Sequence, residues 1–188
     1  MSERMPPLAP EAMNDAQKQA VADITAGPRG RIVGPFNVML RSPEMMNRVQ
    51  HLGEYLRFNC VLGERLKEMV ILLTARNASQ AYEWNAHYPM ALDGGLSKDI
   101  ADAIGDGRRP TDMAEDEAVV YDFCTELFAG SLSVSDTTYD RAVKAFGEQG
   151  VVEMTGVSGY YSLIAMMLNV GRTVLPDGAK PGIERFPR

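Results

Sequence analysis

Cysteine is scarce in this sequence: Cys60 and Cys124 are the only two in 188 residues. Each stands alone in an apolar setting, F-N-C-V-L and D-F-C-T-E-L, and no C-x-x-C occurs. Two thiols cannot build the disulfide framework of a small secreted domain, so buried, reduced side chains are expected. Basic residues are also in the minority. The 19 Lys and Arg against 25 Asp and Glu leave a net charge of −6, spread without long runs. That balance argues against non-specific nucleic-acid binding and against attachment to an anionic membrane. No run approaches the ~20 apolar residues of a membrane span. The N-terminus, M-S-E-R-M-P-P-L-A-P, lacks the apolar centre of a signal peptide, which makes the cytosol the expected location.

What is present is apolar and helix-periodic. Apolar residues form 45% of the chain, enough to exclude disorder and to build one domain across residues 1–188. Little of the sequence alternates like a strand, so the fold class expected is all-α, with about seven or eight helices. An N-terminal arm covers about residues 1–10. Helices are expected at about 11–26, 42–58, 64–77, 79–93, 97–105, 113–129, 135–147 and 148–170. The segment 27–38 reads as a loop, and Ser42-Pro43-Glu44 reads as a helix start with a capping hydroxyl. The tail at about 172–188 is rich in Pro and Gly and is expected to wrap a surface or a neighbouring subunit.

Two helices carry polar residues where apolar ones belong. Residues 64–77 hold an unbroken run, Met69, Val70, Ile71, Leu72 and Leu73, which marks a central helix, and Glu68 opens that run. On the next helix Gln80, Glu83 and His87 follow at i, i+3 and i+7 and share a side, with Trp84 near them. Glu83 and His87 are four apart, within reach of each other. As a surface ion pair this is worth only ~0.3–0.5 kcal/mol. As a pocket lining, low dielectric would shift these groups towards acid–base work near neutral pH. A metal site draws little support, because H-E-x-x-H is absent and a single His is nearby.

Glu68, eleven residues, Gln80, two residues, Glu83, three residues, His87: this spacing resembles the core signature of the carboxymuconolactone decarboxylase and alkylhydroperoxidase D superfamily. The runs E-R-L-K-E-M-V-I-L-L-T-A-R, A-Y-E-W-N-A-H and D-G-G-L-S-K-D-I resemble its decarboxylase-like branch, and the likeness extends over about residues 8–178. It implies an alkylhydroperoxidase D-like helical bundle. The peroxidase branch carries a Cys pair where this chain has Gln80 and Glu83, and peroxide reduction needs that thiolate and its resolving thiol. Peroxidase activity by ancestry is therefore disfavoured.

The resemblance implies instead a cofactor-independent carboxy-lyase that removes CO2 from a small lactone or keto acid through an enolate. His87 is then the general acid or enolate donor, Glu68 the second acid/base group, and Glu83 the residue that orients the imidazole or shares its proton. Gln80, Trp84, Tyr82 and Tyr88 are candidate substrate contacts, and Arg41 or Arg76 candidate partners for a substrate carboxylate. No metal and no cofactor are expected. The expected partners are a small-molecule substrate and further copies of the chain, as a dimer, trimer or hexamer. A different proton-transfer enzyme, such as an isomerase or hydrolase, and a non-catalytic oligomeric binding protein remain open.

Overall fold

An unbroken apolar run must be covered on every side, and α4 (Gly63–Asn77), which carries it, lies at the centre. In the computed structural model, which describes residues 2–176 and 178–186, every residue of α4 from 66 to 76 is buried. In chain order the other elements are a 3-10 turn (Pro10–Ala12), α1 (Asp15–Ala26), α2 (Pro35–Met39), α3 (Pro43–Phe58), α5 (Ala81–Asp93), α6 (Lys98–Gly105), α7 (Glu115–Phe128) and α8 (Asp136–Gly171). Helices α5, α6, α7 and α8 all pack on α4, α1 lies on α3, and α2 bridges α3 and α8. Met69, Ile71 and Leu72 share one core with Phe123 of α7 and with Met154, Ile164 and Leu168 of α8. Burying a side chain of that size contributes about 1.5–3 kcal/mol, so this core is what holds α4 inside the bundle. The described residues contain no strand, and the fold is all-α as expected.

Most helix ends follow local chemistry. Asn14 accepts from the Gln17 backbone N–H at 2.9 Å while the Gln17 side chain returns a bond to Asn14 N–H, so α1 starts at residue 15 rather than 11. Ser42, expected to cap α3, makes no side-chain cap, and Pro43 with Glu44 begins the helix without it. Helix α2 arises inside the segment read as a loop. It is only five residues long, opened by Gly34 at φ 40, and it exists because Phe36, Val38 and Met39 are buried. The two helices expected at 135–147 and 148–170 form one element broken at Gly147, whose φ of 68 only glycine adopts without strain.

Most large apolar side chains in the second half of α8 point inward: Tyr160, Tyr161, Ile164 and Leu168 are buried, while Met166 and Val170 are exposed. An 18-residue window of α8 reaches a mean hydropathy of 1.3, which meets the length and composition of a membrane span. More than half of that window is buried inside the fold, as befits a core helix. The tail wraps the chain's own surface. The Asn85 side chain donates to Lys180 C=O at 2.7 Å and accepts from Gly182 N–H at 2.8 Å, and Phe186 lies against Arg76. The arm is tied to the end of α8 by Arg4 N–H to Gly171 C=O at 2.8 Å. Positions 1, 177, 187 and 188 of the arm and tail lie outside the described residues.

Candidate active site

The connection from α4 to α5 is three residues long, and it turns the chain back on itself. Gln80 N–H bonds Ala75 C=O at 2.8 Å, Ser79 holds φ 49, and the Gln80 side chain caps α5 by accepting from Tyr82 N–H at 2.8 Å. This turn lays α5 along α4 and brings position 87 opposite position 68. Gln80 is thus a structural cap, bonded also to Asn169 at 3.1 Å, and it does not line the cavity that contains His87.

Glu68 Oε2 lies 2.6 Å from His87 Nδ1, and Glu83 Oε2 lies 3.7 Å from His87 Nε2. All three residues are at most 5% exposed. A carboxylate on Nδ1 selects the tautomer with its proton there, leaving Nε2 towards Glu83 and the cavity. The Tyr161 ring meets the imidazole edge-on at 5.0 Å between centroids and fixes its plane. Burial raises the Glu83 pKa above its ordinary value, with His87, Arg57 and Arg29 pulling the other way. Burial also pushes Tyr160 up to about 12 and Tyr161 well above the usual phenol. Of the two acids, Glu68 is the one bonded to the imidazole, and Glu83 is the one that lines the cavity.

That space is a cavity of about 350 Å³ beside α5. Tyr82, Glu83, Ala86, His87 and Met90 form its α5 wall, one face of the helix, as Tyr160 and Tyr161 do for α8. Trp84 and Tyr88 lie on the other side of α5, in a more open recess of about 800 Å³ under the tail. Added side-chain atoms at Gly105 or Gly182 would lie within 2.9 Å of Trp84, so the indole is wedged between them. Tyr88 donates to Asp102 at 2.6 Å. Neither residue meets His87's cavity. Arg41 bonds Asn37 C=O and Pro6 C=O, each at 2.6 Å, and Arg76 donates to Glu184 C=O under the Phe186 ring. Neither arginine lines the cavity; Arg29, Arg31 and Arg57 do. These three, with Tyr160 and Tyr161, were not anticipated. The two tyrosines carried the signal of polar tips inside an apolar stripe, whereas an arginine in a Gly/Pro-rich loop carries none.

Both thiols lie apart from this cavity. Burial raises Cys60 to about 11 and Cys124 to about 12, so neither is a thiolate near neutral pH. Among the described residues no three His, Cys, Asp or Glu side chains are grouped to hold a metal ion.

The all-helical bundle is similar in fold to solved alkylhydroperoxidase D-like structures. Residues 43–119, from the start of α3 into α7, match the Carboxymuconolactone decarboxylase family. Among solved structures, an uncharacterised peroxidase-related protein from Ralstonia eutropha with an alkylhydroperoxidase AhpD core is 16% identical with a TM-score of 0.72, covering 93% of both chains. A protein of unknown function from Agrobacterium tumefaciens, described as a candidate antioxidant defence protein AhpD, is 18% identical with a TM-score of 0.66, covering 74% of this chain and 96% of its own. At these identities the likeness concerns the fold alone. No curated protein sequence matches the chain.

Proposed function

We propose that the chain is an acid–base enzyme that removes CO2 from a small lactone or keto acid through an enolate, moving the proton with its own side chains. The observation that carries this reading is the buried pair on His87, with Glu68 on Nδ1 and Glu83 facing Nε2 at the wall of a ligand-sized cavity. Burying these groups costs several kcal/mol unless they are partnered, a cost that packing alone gives no reason to bear.

The step balances with these groups. The bond from carbon to the departing carboxylate breaks, and its electron pair moves into the neighbouring carbonyl as an enolate. A proton then goes to carbon from the Glu83 carboxyl or from the imidazolium Nε2–H. Glu83 keeps its proton to higher pH than an ordinary carboxyl, which suits it to donate. Proton-transfer isomerisation is the second reading, favoured by the same placement of the Glu83 carboxyl 3.7 Å from Nε2. The two readings differ in whether CO2 is released. Peroxide chemistry, suggested by the names of the two solved structures, draws no support from thiols that stay protonated and lie outside the cavity.

The test is a mass-spectrometric screen of ring-cleavage lactones and related keto acids with the wild type and with His87→Ala. Turnover by the wild type, reduced ~10²–10⁴-fold in the variant, is the expected result. Equal turnover by both proteins would overturn it.

A further inference from the structure

Arg29 sits in the loop between α1 and α2, outside the family-matched segment, and its guanidinium is held in the wall of the His87 cavity. It lies 4.9 Å over the Phe36 ring, and its Nε and Nη2 are shut away from water with no hydrogen-bond acceptor among the described residues. A guanidinium carries five donors and prefers a planar, two-oxygen acceptor, so leaving two nitrogens dry and unpaired is costly. Glu83 lines the same cavity but accepts no hydrogen bond from Arg29 Nε or Nη2.

The neighbourhood is cut to hold Arg29 beside a hydroxyl. A Cβ added to Gly53 of α3 would fall 2.8 Å from Arg29 Nη2 and 2.0 Å from the Tyr160 hydroxyl, so the two donors converge over the bare Gly53 backbone. Arg31 and Arg57 line the same cavity, three arginines in a chain whose net charge is −6. The remaining wall is flat and apolar, built from Phe36, Phe58, Tyr82 and Tyr161. Focused positive potential over an apolar slot selects an anion with a flat body.

We infer that Arg29, with the Tyr160 hydroxyl beside it, is the anchor for a carboxylate carried by the molecule this cavity takes, so that the substrate is a small organic anion. This rests on the acid–base reading of the same cavity. Arg29 is a binding and specificity residue, and His87 remains the proton carrier.

Benzoate and its uncharged isostere benzamide are the probes, titrated calorimetrically against wild type, Arg29→Gln and Arg29→Lys at low ionic strength. Wild type is expected to prefer benzoate, and Arg29→Gln to weaken benzoate about tenfold or more while leaving benzamide unchanged. Arg29→Lys, which keeps the charge but loses the fork, is expected to fall between them, and it carries the test should the Gln variant fail to fold. The melting temperature of apo Arg29→Gln is expected to equal or exceed that of wild type, because an unpaired group is removed; a merely structural arginine would lower it. No preference for benzoate in wild type, or a preference that survives in both Arg29 variants, overturns the inference whatever happens to turnover. Turnover unaffected in His87→Ala overturns the acid–base reading while leaving the anchor intact.

Discussion

Glu68 and His87 face each other across the α4–α5 contact, with carboxylate oxygen and ring Nδ1 2.6 Å apart. Both are buried, and the pair sets which ring nitrogen meets the cavity. Replacing Glu68 by Gln keeps the shape but can offer an N–H to Nδ1 and so select the wrong tautomer. Glu68→Gln is expected to lower kcat by ~10²–10⁴ with little change in KM, judged by steady-state kinetics on whichever substrate the screen returns. A KM effect alone would make Glu68 a binding residue.

Glu83 holds its proton to higher pH than an exposed carboxyl does. Burial raises its pKa above 4.5, so the folded chain holds this proton more tightly than the unfolded one does. Its contribution is most favourable at low pH and is lost as pH climbs from the unfolded carboxyl range through the raised folded value. Wild type should therefore lose stability relative to Glu83→Gln over that window. Thermal melts of both proteins from about pH 4 to about pH 8 measure the difference, and a difference independent of pH would contradict it.

Gly53 lies in the interior of α3, where alanine ordinarily gains about 1 kcal/mol in helix propensity. Here the added carbon meets the Tyr160 hydroxyl at 2.0 Å. Overpacking of that kind costs about 1–3 kcal/mol, so Gly53→Ala is expected to lower the urea midpoint instead of raising it.

Cys60→Ser combined with Cys124→Ser should leave turnover within about threefold of wild type, because neither thiol lines the cavity and both are held protonated. Circular dichroism confirms folding in the same samples. A folded double variant with no turnover would return a thiol to the mechanism.

Leu52 and Phe58 of α3, and Val61 just beyond it, are each about half exposed. Large apolar side chains left in water favour association with a second copy. Light scattering at micromolar concentration is expected to give a mass above 20.6 kDa, and a monomer there would argue otherwise.

Periodicity made the centre of the fold legible in the sequence. The run at 69–73 announced α4, and the positions of Glu68, Glu83 and His87 on their helices follow from 100° per residue and nothing else. The break in α8 falls at Gly147, the boundary between the two expected helices, where the positive φ suits glycine. Trp84 was misjudged because it borders the Glu83–His87 side, and only Gly105 and Gly182, from distant segments, decide which way the indole turns. Arg41 and Arg76 looked as suitable as any cation until the arm and the tail engaged them. Local spacing is a property of the backbone and is written in the sequence. The pairing of Arg29 with Tyr160 across Gly53, and the choice of Glu68 over Glu83 as the partner of Nδ1, depend on remote segments packing together, and that the tertiary structure alone decided.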